Sequence, residues 1–64
     1  MQVDLAHIQK SLNSYKLCIN CENINHVSNY KCVVCKGSNF KDLTSSDIRE
    51  RIEEDGINTV IQVK

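Results

Sequence analysis

The sequence predicts a small α+β domain stapled by a metal ion. Three observations carry that expectation. All four cysteines lie between residues 18 and 35, in two C-x2-C pairs, Cys18-Ile-Asn-Cys21 and Cys32-Val-Val-Cys35. The chain has 64 residues, and at that size an apolar core rarely supplies more than about 3–5 kcal/mol, so a staple is expected. Helical and strand patterns flank the cysteines on both sides. The expected order within one domain, 1–64, is a helix over 2–13, a cysteine-bearing ribbon over 15–43, a helix over 44–55 and a strand over 57–63.

The cysteine spacing suits zinc. A Zn²⁺ ion takes four ligands in a tetrahedron, each sulfur about 2.3 Å away. Two cysteines three apart sit on one tight turn and aim both sulfurs at one point. Cys18, Cys21, Cys32 and Cys35 are therefore the candidate ligands of a single structural Zn²⁺, held by two knuckles, as in a zinc ribbon. Such a site contributes an apparent 10–16 kcal/mol or so near neutral pH. Disulfides compete with this reading, because four cysteines allow three pairings. No signal peptide is visible, since Asp4, His7 and Lys10 stand where an apolar run is required, and a reducing compartment favours metal. The cytoplasm, or the nucleus in a eukaryote, is expected. Iron fits the same S4 cage and stays open. A redox C-x-x-C pair needs a βαβ unit that this chain is too short to form. His26 is not needed as a ligand once four thiolates fill the tetrahedron.

Written in full, the motif is C-x2-C-x3-N-x6-C-x2-C, with Asn25 at the internal position. It resembles the small zinc ribbons of prokaryotic and viral proteins and the Ran-binding-protein type of zinc finger, over residues 15–40. The resemblance implies that the Asn25 side chain ties the two knuckles together. It also carries departures. Those knuckles usually have Gly after the second Cys, where Glu22 and Lys36 stand here. The Ran-binding type has a Trp before its first Cys, and this chain has no Trp. Its ubiquitin-binding members have Thr-Phe where Glu22-Asn23 stands, and its RNA readers need the Trp and several Arg. Neither activity is implied.

Along the chain, Leu5, Ile8 and Leu12 recur at helical spacing, with Val3 and Ala6 alongside. This stripe either covers the ribbon or docks on a partner or a second copy. Tyr15-Lys16-Leu17 leads into the first knuckle as a strand. Residues 22–31 are rich in turn formers, Asn23, Asn25, Ser28 and Asn29. Asn39 to Leu43 forms a strand leaving the second knuckle. Thr44 with Asp47 makes a capping box, Leu43 and Ile48 a hydrophobic staple, and Gly56 ends the helix. Asp47–Arg51, Arg49–Glu53 and Arg51–Asp55 are spaced as i,i+4 ion pairs. Ile57, Thr59, Ile61 and Val63 alternate with Asn58, Val60 and Gln62, and such a strand needs a neighbour for its backbone groups. That neighbour is the ribbon's own sheet, a symmetry mate or a partner's edge.

Formal net charge is zero, eight basic against eight acidic residues. Residues 10–41 carry five Lys against one Glu, and residues 42–55 six acids against two Arg. Lys16, Lys31 and Lys36 lie beside the cysteines, where they offset the negative thiolate cage or contact phosphate. Tyr15, Tyr30 and Phe40 flank the site, and are expected to pack as core over it rather than to stack on bases. No catalytic constellation is visible, and four thiolates leave zinc no open position for water. No apolar run is long enough to cross a membrane. The expected function is a non-catalytic zinc-binding module, a protein–protein adaptor or regulator, with a homodimer through helix 2–13 or strand 57–63 as one form of partnership. The alternatives are a nucleic-acid-binding ribbon, which usually shows a basic balance, and rubredoxin-like electron transfer.

Overall fold

The computed structural model describes all of residues 1–64. The order is β1 (Gln2–Asp4), α1 (Leu5–Lys10), a 3-10 turn (Leu12–Ser14), β2 (Tyr15–Cys18), β3 (Ile24–His26), β4 (Phe40–Asp42), α2 (Ser45–Asp55) and β5 (Val60–Gln62). The strands form two antiparallel sheets, β3-β2-β4 and β1-β5. No helix is long and apolar enough to cross a membrane.

The helix expected over 2–13 is shorter and differently bounded. Asp4 is its N-cap, accepting from His7 N at 2.8 Å, and a capping side chain of this kind fixes where the first turn starts. Upstream of the cap the chain is extended, and Val3 stands opposite Ile61. The helix stops at Lys10, and Leu12–Ser14 tightens into a 3-10 turn. The apolar stripe is used within the chain. Leu5 and Ile8 are wholly buried, and α1 packs on α2.

β5 therefore has a neighbour, and it is the N-terminal strand. Beyond it, Val63 is wholly buried, and its carbonyl accepts from His26 N at 2.8 Å and from Asn29 Nδ2 at 2.8 Å. Asn23 Nδ2 donates to Gln62 O at 3.1 Å. Two asparagines of the stretch read as turns are thus tethers for the C-terminal strand, and β3 itself lies within that stretch. Of the alternating apolar residues, Ile61 and Val63 face inward, while Ile57 is 44% exposed.

The core is one cluster: Leu5, Ile8, Tyr15, Leu17, Ile24, Leu43, Ile48 and Val63. It contains both halves of the staple, Leu43 and Ile48, on either side of the Thr44 cap. The capping box is formed in both directions, Asp47 N to Thr44 Oγ1 at 3.2 Å and Thr44 N to Asp47 Oδ2 at 3.2 Å. Gly56 ends α2 at φ 94°, a conformation that costs other residues steric strain. The three i,i+4 pairs of α2 are not made. The one ion pair is Lys41–Asp47, at 3.8 Å. Arg51 instead donates to the carbonyl of Glu22, across to the first knuckle, where a backbone acceptor is within reach.

No core residue of the cluster lies between 25 and 42. Residues 27–39 contain no helix or strand. This segment carries the second knuckle, and hydrogen bonds rather than apolar packing hold it: Asn25 to Val33 N, Asn29 to Val63 O, Lys16 to the Val27 and Asn29 carbonyls, and Ile19 N to Asn39 O.

Candidate metal centre

Each knuckle is a loop closed by the same two backbone bonds. Cys18 N donates to Asn23 O at 3.0 Å, and Cys32 N to Gly37 O at 2.8 Å. Glu22 N donates to Cys18 O at 2.9 Å, and Lys36 N to Cys32 O at 3.0 Å. Both loops pass through the left-handed region, Glu22 at φ 64° and Lys36 at φ 66°. No glycine stands at either position, yet the backbone adopts the conformation that glycine takes most easily at both. Each non-glycine residue held there costs roughly 1–2 kcal/mol, which something else in the fold must offset. Gly37 is constrained in a different way. A Cβ on it would lie 3.3 Å from Cys35 Sγ, and its N–H is aimed at that sulfur at 3.4 Å.

The loops bring Cys18, Cys21, Cys32 and Cys35 together. Their four Sγ atoms lie within 4.8 Å of one another, with Cys18 and Cys32 buried and the other two half-buried. Cys18 Sγ is 3.5 Å from Cys35 Sγ, and Cys21 Sγ is 3.4 Å from Cys32 Sγ. A tetrahedron with metal–sulfur distances of about 2.3 Å has edges of about 3.8 Å. The group could hold a metal ion.

Asn25 joins the two loops. It is wholly buried. Its Nδ2 donates to Asn23 O at 3.1 Å and to Cys32 Sγ at 3.4 Å, while its Oδ1 accepts from Val33 N at 3.0 Å. One side-chain amide thus satisfies groups from both knuckles.

The sulfurs are polarised unequally. Burial alone would raise the Cys32 thiol, but the N–H groups of Cys35, Asn25 and Val34 and the neighbouring Cys21 outweigh it and draw it down to about 6. Asn20, followed by the Gly37 N–H, lowers Cys35. Cys21 receives a lowering bond from Asn23 N–H, yet burial and the three surrounding sulfurs prevail and push it up to about 12. Crowded sulfurs cannot all be anionic unless a cation stands among them. Donors aimed at sulfur orient and stabilise thiolate ligands, and a cation among the sulfurs would offset the resisted deprotonation of Cys21.

The other candidates fall elsewhere. His26 Nδ1 is 2.8 Å from Ser28 Oγ and its ring stacks edge-on to Tyr15. His7 also packs edge-on to Tyr15, with centroids 6.2 Å apart. Tyr15 is core, and its burial raises its hydroxyl pKa. Tyr30 is not core: it is 92% exposed. Phe40 is half-buried beneath Lys16 Nζ, 4.0 Å from the ring centroid. Lys16 also donates to Val27 O at 3.2 Å and to Asn29 O, so its ammonium is committed to the second loop. Lys31 and Lys36 are exposed. The Arg51 bond to Glu22 was not foreseeable from helix spacing, which directs Arg51 to Asp47 and Asp55.

No protein-family model matches the chain, and neither does any curated protein or solved structure.

Proposed function

We propose that Cys18, Cys21, Cys32 and Cys35 hold one structural Zn²⁺, and that the domain it staples is a non-catalytic binding module for another protein. The observation that carries the metal reading is the convergence of four sulfurs, on two matching loops, with N–H donors directed at them. Four thiolates complete the tetrahedron, so zinc there has no position for a reacting water. A binding role is supported by what the knuckles leave outside. Ile19 on the first knuckle is 59% exposed, and Val34 and Tyr30 on or beside the second are 60% and 92% exposed. Exposed apolar side chains carried on both knuckles of so small a domain are candidates for contact surface. Weighing against a phosphate-binding role, Lys16 is occupied internally and Tyr15 is buried.

Elemental analysis of protein purified without added metal tests the first part. One equivalent of zinc is expected; iron with visible thiolate absorption would indicate a rubredoxin-like centre, and no metal would overturn the reading. For the second part, crosslinking and pull-down should capture a protein partner in a manner abolished by Ile19→Ser with Val34→Ser. Tight, strongly salt-dependent binding of oligonucleotides, with no protein captured, would overturn it.

A further inference from the structure

We propose that the cage is also a redox latch: when metal is lost to a hydroperoxide, the cysteines pair across the two knuckles, Cys18 with Cys35 and Cys21 with Cys32, and hold the same fold closed. This rests on the metal-site reading above and concerns what the same side chains do without the ion.

Both hydrogen-bonded sulfur contacts run from one knuckle to the other, at 3.5 Å and 3.4 Å. A disulfide needs about 2.0 Å between sulfurs, so each pair closes by a small side-chain movement. The two pairs use all four cysteines and leave none over. Pairing within each C-x2-C would use them all too, but it would join no atom of one knuckle to the other. The structural consequence differs sharply. Residues 27–39 have no helix or strand and contribute only Cys32 to the buried set. With pairing inside the knuckles, only hydrogen bonds would tie this segment to the first loop, among them those of Asn25 and the bond from Ile19 N to Asn39 O at 3.0 Å. Crossed pairing replaces the bridge that the ion provides.

The chemistry balances without further reactants. One thiolate of a pair attacks the hydroperoxide O–O bond, giving a sulfenic acid and releasing an alkoxide or hydroxide that takes a proton. The second thiolate attacks that sulfenic sulfur, forming the S–S bond and expelling hydroxide, which is protonated to water. Each disulfide thus consumes one equivalent of hydroperoxide, reduced by two electrons, and Zn²⁺ leaves without changing oxidation state.

The test uses the full chain. Zinc is removed with a chelator under nitrogen, and rebinding of one equivalent is confirmed on an aliquot. Two equivalents of hydrogen peroxide are then added, and the product is digested with trypsin without reduction. Cleavage after Lys16, Lys31 and Lys36 places Cys18 and Cys21 on one peptide and Cys32 and Cys35 on another. Crossed pairing gives one mass, the two peptides joined, and loss of the separate ones. Separate peptides, each lacking two hydrogens, or sulfinic acids, would overturn the proposal. The double variants distinguish the crossings. Cys18→Ser with Cys35→Ser should form the remaining disulfide faster than Cys18→Ser with Cys32→Ser, and equal or reversed rates would also overturn it. An apo chain that does not rebind zinc would count against the metal site itself, whereas normal rebinding with pairing inside the knuckles would sink only the latch.

Discussion

Asn25 Nδ2 donates to Cys32 Sγ at 3.4 Å, from a side chain that is wholly buried. The same amide accepts from Val33 N and donates to Asn23 O. A thiolate accepting such a bond is held in the orientation a metal needs, and partners of this kind commonly tune affinity about 10–100-fold. Asn25→Ala leaves the Val33 N–H and a sulfur lone pair without a partner in a closed site. It should cost about 1–3 kcal/mol in denaturant unfolding of the metal-loaded protein, and speed metal loss to a competing chelator. Unchanged stability would mean that water enters and replaces the amide.

The two strained knuckle residues make an opposite prediction. Glu22 and Lys36 hold φ near 65° with a Cβ in place. Glycine adopts that conformation freely but loses more entropy on folding. Glu22→Gly and Lys36→Gly should each stabilise the metal-loaded protein, by about 0.5–1 kcal/mol, since the relieved strain exceeds the entropy cost. A measured loss at both positions would show that their side chains make compensating contacts.

The cap of α2 links stability to pH. Bonds from the Thr44 N–H and hydroxyl, with Lys41 adding a smaller attraction, lower the Asp47 carboxyl below its usual value. A carboxyl depressed in the folded state contributes stability that is present above its unfolded pKa, about 3.9, and is lost as pH falls through the lower folded value. Thr44→Ala should cost about 1 kcal/mol, or a fall in Tm of about 4–8 °C, when measured near neutral pH, where Asp47 is ionised and the metal stays bound.

Acid should also release the metal. Binding requires all four cysteines as thiolates, and Cys21, pushed up to about 12 in the ion-free chain, must give up its proton. Metal uptake near neutral pH should therefore release protons, detectable with an indicator dye in weak buffer. Affinity should fall steadily as pH is lowered through about 6, where Cys32 protonates. An affinity independent of pH would contradict thiolate ligation.

Two apolar substitutions separate core from surface. Ile48→Ala removes a wholly buried side chain of the core, one half of the staple with Leu43, and should cost about 2–5 kcal/mol. Tyr30→Ala, at a residue 92% exposed, should change stability by no more than about 0.5 kcal/mol. A large effect at Tyr30 would mean that it is covered in solution by another molecule.

The cysteine cage and the α2 boundaries were legible in the order of residues because each is encoded locally. Two cysteines on a three-residue interval share one turn whatever surrounds them, and Thr44, Asp47 and Gly56 cap a helix with atoms a few positions away. Asn25 was legible only through a resemblance, because nothing in an isolated asparagine says that its amide will meet both Asn23 and Val33. The N-terminal segment misled for a related reason. Val3 fits a helical stripe as well as a strand, and what decides is Ile61, opposite it and far along the chain. The same holds for Lys16, whose ammonium is consumed by carbonyls of the second loop, and for Arg51, drawn from its helical neighbours to Glu22. Ligand spacing and caps follow from covalent connectivity over a few residues. Strand partners, and where long cationic side chains end, follow from which surfaces the closed fold brings within hydrogen-bond reach.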